Sequence, residues 1–174
     1  MIKNFSARGF KSSLIGVSEL LFGISNKSLD SFTVENRDEY KLLLDKAKLF
    51  YLEFAGSSTT WSLLLQPRSQ SNSILNFYSL RQERIDFNSV GFIIISRIGH
   101  LIFFENSFTE EQNSLLIKAL ANLDYRRSCS LWENSVVIDD GKGERKIIAQ
   151  RAGINKAIKI AIAEIEKETG ITLN

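Results

Sequence analysis

The stretch 90-VGFIIISRIGHLIFFE-105 decides the fold class. Val90 to Arg97 and Leu101 to Glu105 are rich in Ile and Phe, the β-branched and aromatic residues that fit a pleated surface. A short turn containing Gly99 separates them, so the spacing predicts a β-hairpin. Apolar residues fall on both faces of each arm, which places this hairpin centrally in its sheet and covers it on both sides.

Further strands follow on either side. Ser135 to Asp139 and Arg145 to Ala149 flank Asp140-Gly141-Lys142-Gly143, a loop of turn residues, and read as a second hairpin. Ile74 to Leu80, after a polar loop from Gln66 to Ser73, fits either a strand or a helix, with the strand preferred. Trp61 to Leu65 is a short apolar run before Pro67.

Three helices complete the pattern. Asn36 and Glu39 have the spacing of a capping box, and Tyr40, Leu43, Leu44, Ala47, Phe50, Tyr51 and Phe54 recur at three and four residues until Gly56. Thr109 and Gln112 open a second helix with Leu116, Ala119, Leu120 and Leu123 on one face. A third begins between Gln150 and Asn155 and ends before Gly170. The expected fold is therefore α+β, an antiparallel sheet of about five or six strands with three helices packed on it. This order of elements resembles that of type III secretion chaperones, a likeness of topology without a shared motif, and order alone does not carry function over.

The chain's 174 residues suit one domain spanning 1–174, with 1–35 as a peripheral N-terminal extension. Hydrophobic residues make up 44% and charged residues 24%, an ordinary globular balance that excludes disorder. The single Cys129 excludes an internal disulfide framework and any multi-cysteine metal site, which points to a reducing, cytoplasmic setting. Met1 to Ser18 carries Lys3, Arg8 and Lys11, four Ser and no acid, a composition that gives an organelle matrix as the alternative. No apolar run approaches the roughly 20 residues that span a bilayer.

Charge then points to a working surface. Gly141 to Ile160 holds Lys142, Arg145, Lys146, Arg151, Lys156 and Lys159 against one acid, Glu144. Elsewhere acids outnumber bases, 19 to 16, so the whole positive excess lies here. Such a local excess suits an anionic partner. On the last helix Ile154, Ile158, Ala161, Ile162 and Ile165 share the face that should pack on the sheet, and Lys156 and Lys159 lie opposite. Glu164, Glu166 and Glu168 crowd its last turns, against the preference of the helix dipole.

Two sharper motifs overlap this segment. Ala149, Gly153, Ile154 and Ile162 are spaced as in a helix-turn-helix, which would turn Asn155, Lys156 and Lys159 to a major groove. Lys159, however, falls where such a motif buries an apolar residue. Asp139 or Asp140 followed by Glu144-Arg145-Lys146 echoes the two carboxylates and lysine of metal-dependent nucleases, although glycines precede the Glu where an apolar strand is usual.

His100, the only His, has no visible catalytic setting and suits a hairpin turn. There is no phosphate-binding glycine loop and no G-x-S-x-G. These observations favour a non-enzymatic binding, adaptor or accessory protein without a cofactor. Lys142, Arg145, Lys146, Arg151, Lys156 and Lys159 would engage an acidic protein partner. The alternative is nucleic-acid binding by the same segment, as a helix-turn-helix or as a nuclease holding metal through Asp140 and Glu144.

Overall fold

The computed structural model describes residues 37–64 and 77–173. Among these, helix α1 spans Arg37–Ser57, a 3-10 turn follows at Trp61–Leu64, and α2 spans Phe77–Glu83. Helix α3 runs Ser89–His100 and continues as one π-helical turn, Leu101–Glu105. Then come α4 at Glu110–Asn122, a 3-10 turn at Ser130–Trp132, β1 at Val137–Asp139, β2 at Arg145–Ile147 and α5 at Arg151–Thr169.

The expected sheet is not there. Five α-helices and one two-stranded antiparallel sheet stand among the described residues, in place of five or six strands carrying three helices. The likeness in element order to type III secretion chaperones goes with it.

The central hairpin expected over 90–105 is a single buried helix. Val90, Ile94, Ile95, Ile98 and Ile102 are each at most 2% exposed and recur at helical spacing. The run is also far longer than an ordinary strand of about 5–6 residues. Strand propensity is a weak preference that burial overrides, because each fully buried Ile contributes about 1.5–3 kcal/mol wherever the backbone places it. Gly99 is buried within the helix and makes no turn. The π turn closes at Asn106, whose backbone N–H and side-chain Nδ2 both donate to the Leu101 carbonyl, at 3.2 and 2.9 Å. His100 caps no hairpin: it stacks on Phe104 and meets Glu105 at 3.4 Å.

The strand expected at Ile74 to Leu80 is also corrected, since α2 occupies Phe77–Glu83. Residues 1–36 and 65–76 lie outside the described residues, and with them the N-terminal extension, the Asn36 cap and the polar loop.

Other expectations hold. Helix α1 buries Ala47, Phe50 and Phe54, and its opposite face carries Leu42, Leu49 and Leu52, each more than half exposed. Thr109 and Gln112 form a reciprocal capping box on α4, and Leu116, Ala119, Leu120 and Leu123 are all buried. Gly170 ends α5 in the left-handed conformation, φ 70°, where a side chain would be strained. The second hairpin forms, with shorter arms than expected, Val137–Asp139 and Arg145–Ile147, and pairs Val137 with Ile147 and Asp139 with Arg145.

The buried residues form one cluster, in which α5 packs on α3 and α4 instead of on a sheet. Aromatic rings link its parts. Phe50 meets Phe103 edge-on at 5.9 Å, and Phe54 meets Trp61 and Tyr125 at 5.9 and 6.5 Å. Tyr125 stacks on Trp132 at 5.5 Å. Their polar atoms are satisfied: Tyr125 Oη donates to the Leu120 carbonyl and Trp132 Nε1 to that of Asp124. Tyr51 Oη and Ser96 Oγ lie 2.7 Å apart, and burial pushes the Tyr51 phenol up to about 12 against the opposing effect of that hydrogen bond.

A basic hairpin and helix start as candidate nucleic-acid interface

The β1–β2 hairpin is short, and its tip is fixed by its own chemistry. Gly141 and Gly143 take φ 75° and 83°, a region open to glycine at little cost. Asp139 Oδ1 accepts from the Gly141 N–H at 2.8 Å. Asp140 Oδ1 accepts from the N–H groups of Lys142 and Glu144, at 2.9 and 3.2 Å. Asp140 Oδ2 meets Lys146 Nζ at 2.9 Å. The Lys146 ammonium, with the turn N–H groups behind it, holds the Asp140 carboxyl below its ordinary range, and Asp140 raises Lys146 in return.

Asp140 and Glu144, the carboxylates of the nuclease-like spacing, both belong to the turn between β1 and β2. Both Asp140 oxygens serve backbone N–H groups or Lys146, and Glu144 is exposed. Among the described residues, no three His, Cys, Asp or Glu come together as metal ligands.

The helix-turn-helix is excluded by geometry. Arg145–Ile147 is paired with Val137–Asp139, so a strand occupies the place of the first helix. Gly153, which that motif would use as its turn, lies in the first turn of α5. It is there because a Cβ would stand 2.4 Å from the Ser135 carbonyl oxygen. Ser135 is itself buried and donates its hydroxyl to the Trp132 carbonyl at 2.7 Å, so helix start and hairpin root are pressed together.

The six basic residues divide by environment. Arg145 is half-buried and structural, with Nη1 donating to the Arg127 carbonyl at 3.1 Å and Nη2 3.5 Å from Glu133. Lys146 is exposed and paired with Asp140. Lys156 is exposed, and its Nζ donates to the carbonyl of Asn134, a residue at φ 57°; this bond leaves its charge uncancelled. Lys142, Arg151 and Lys159 are exposed and enter no ion pair among the described residues.

The acids near the end of α5 have local work. Glu164 pairs with Lys167 at 3.0 Å, and Glu166 Oε1 accepts from the Leu173 N–H at 2.7 Å. Their position against the helix dipole is offset by a cap and an ion pair.

Three further features of the site depend on tertiary contacts that sequence spacing does not show. Arg97, on α3, donates to Asn155 Oδ1 at 2.9 Å and so adds a cation beside the helix start. Arg127 donates Nη1 to the Arg145 carbonyl at 3.3 Å and Nη2 to the Arg81 carbonyl, which ties the hairpin to α2. Asp86, fully buried, accepts from Arg84 Nε and Nη2 at 3.0 and 2.9 Å and from Trp61 Nε1 at 2.8 Å. The Arg126-Arg127 pair was the one visible signal, since adjacent arginines in an otherwise neutral region need partners. Nothing in sequence spacing links residue 61 to residue 86.

The site is thus a cation-bearing hairpin and helix start on a helical body, a surface whose charge suits a polyanion. The chain belongs to the DndB family, described as DNA-sulfur modification-associated, whose family model matches residues 8–172. No curated protein and no solved structure matches the chain. No helix among the described residues is long and apolar enough to cross a membrane.

Proposed function

We infer that this chain binds duplex DNA as an accessory, non-catalytic protein of DNA sulfur modification, through the hairpin tip and the first half of α5. The observation that carries this reading is the exposure of Lys142, Arg151, Lys156 and Lys159, none of which enters an ion pair among the described residues, on a hairpin and helix start in direct contact. The family, described by its association with DNA modification, favours the nucleic-acid alternative over an acidic-protein adaptor.

Duplex is favoured over single strand on chemical grounds. Single-strand binding depends on aromatic platforms on which bases stack. The segment 141–160 contains no aromatic residue, only guanidinium and ammonium groups suited to phosphate. The cytoplasmic setting expected from the lone Cys129 is part of this reading.

The test is fluorescence anisotropy with a labelled duplex, comparing wild type with the triple variant Lys142→Glu, Lys156→Glu, Lys159→Glu. Loss of at least tenfold in affinity supports the reading. Equal binding by both proteins, or no binding by wild type at low salt, overturns it.

A further inference from the structure

Besides its contact with α5, the hairpin is bonded through Arg145 to Arg127, one of a second group of arginines. Arg81, Arg84, Arg126, Arg127 and Arg145 come from α2, the segments after α2 and α4, and β2. The backbone itself gathers them. Ile85 N–H donates to the Tyr125 carbonyl at 2.9 Å and Arg127 N–H to the Glu83 carbonyl at 2.7 Å. Arg127 and Arg145 then exchange guanidinium-to-carbonyl bonds, and the second Nη of Arg127 reaches the Arg81 carbonyl.

Carboxylates neutralise three of the five. Arg84 pairs with Asp86, Arg126 with Asp124 and Arg145 with Glu133. Arg81 and Arg127 enter no ion pair among the described residues. Their roles differ. Arg127 is half-buried, its Nε is buried without a partner, and both Nη groups serve carbonyls, so it has little left to offer a ligand. Arg81 is exposed in the last turn of α2, with its carbonyl held by Arg127 and by Asn88 Nδ2 at 3.1 Å. Its carbonyl is held by two donors, while the residue as a whole is exposed.

We propose that the phosphate-binding face continues past the hairpin onto Arg81, with Arg127 as the positioning residue that locks the end of α2 against β2. The duplex would be held on both sides of the hairpin, at Arg81 and along α5. A guanidinium suits the outer contact because its planar fork can bond two phosphate oxygens at once. This inference rests on the DNA-binding reading.

The experiment measures duplex affinity as a function of salt for wild type, Arg81→Gln, Arg127→Lys, the double variant, and Lys142→Glu as the hairpin control. Arg81→Gln should weaken binding several-fold and lower the salt slope by about 1, the signature of one lost phosphate contact. Arg127→Lys keeps the charge but cannot bridge two carbonyls, so it should weaken binding in wild type and add nothing to Arg81→Gln. A general loss of structure would instead add to it. If Lys142→Glu weakens binding while Arg81→Gln keeps the wild-type affinity and slope, the extension to Arg81 is wrong and the DNA-binding reading stands. If Lys142→Glu also leaves binding unchanged, both fall.

Discussion

Gly153→Ala tests the joint on which the interface depends. A Cβ at this position would lie 2.4 Å from the Ser135 carbonyl oxygen and 3.3 Å from its carbon, whereas ordinary contacts begin near 3.4 Å. The first turn of α5 and the hairpin root must therefore separate by about 1 Å, and overpacking of this kind costs about 1–3 kcal/mol. Ser135 yields little, because it is buried and bonded to Trp132, while Ile148 N–H holds the adjoining Val136 carbonyl at 2.9 Å. Exchanging Gly for Ala in a helix returns up to about 1 kcal/mol. A clash with backbone falls in the upper half of the overpacking range, about 2–3 kcal/mol, so the expected net loss is about 1–2 kcal/mol, read from urea unfolding midpoints at constant slope. Gly56→Ala supplies the opposite sign. It too lies in a helix, but its Cβ would meet nothing within 4 Å, so it should stabilise by a few tenths to about 1 kcal/mol. If the two variants shift in the same stabilising direction, the close approach of α5 to Ser135 is refuted.

Two further predictions follow from the buried and exposed carboxylates. Asp86→Asn removes the charge from a fully buried group bonded to Arg84 and Trp61, and breaking such a pair costs about 3–5 kcal/mol. The lower end applies because the Arg84 side chain is 18% exposed; denaturant unfolding measures the loss, and an unchanged midpoint would show that the pair is not formed. Asp140 has its folded-state pKa depressed, so the stability it gives the hairpin tip is present above its unfolded value, about 3.9, and lost as pH falls through the lower folded value. Lys146 is raised, so its share is present below about 10.4 and lost as pH rises through the folded value. Proton chemical shifts of Lys142 and Glu144 N–H should therefore stay constant between these limits and move together in acid; steady drift through neutrality would contradict the ion pair.

How much was legible in the sequence depended on whether local chemistry or packing set each element. Caps, turns and one-sided periodicity were readable: Thr109 with Gln112, Gly170, and the Asp140–Gly143 turn all act locally. The helix at Ser89–Glu105 was not, because Phe92, Ile93, Phe103 and Phe104 fill its other faces and hide the spacing of its buried isoleucines. Its neighbours decide it: α5 on one side and the aromatic residues of α1 on another give an all-round apolar helix somewhere to be buried. The basic segment could be placed on a hairpin and a helix, yet which of its cations are free could not. Arg145 and Lys146 look like Lys142 in sequence, and only the tertiary contacts to Arg127, Glu133 and Asp140 separate them. Arg81 was invisible for the same reason, since Arg127 joins it to the hairpin across 46 residues of chain.

The salt dependence of duplex DNA binding by the wild-type chain tests the central claim most directly. Each phosphate neutralised contributes about −0.9 to the slope of log affinity against log salt. Lys142, Arg151, Lys156 and Lys159 together predict a slope of about −3 to −4, moving to about −4 to −5 if Arg81 also makes contact. A slope near zero, or a slope that survives charge reversal at Lys142, Lys156 and Lys159, would contradict the account.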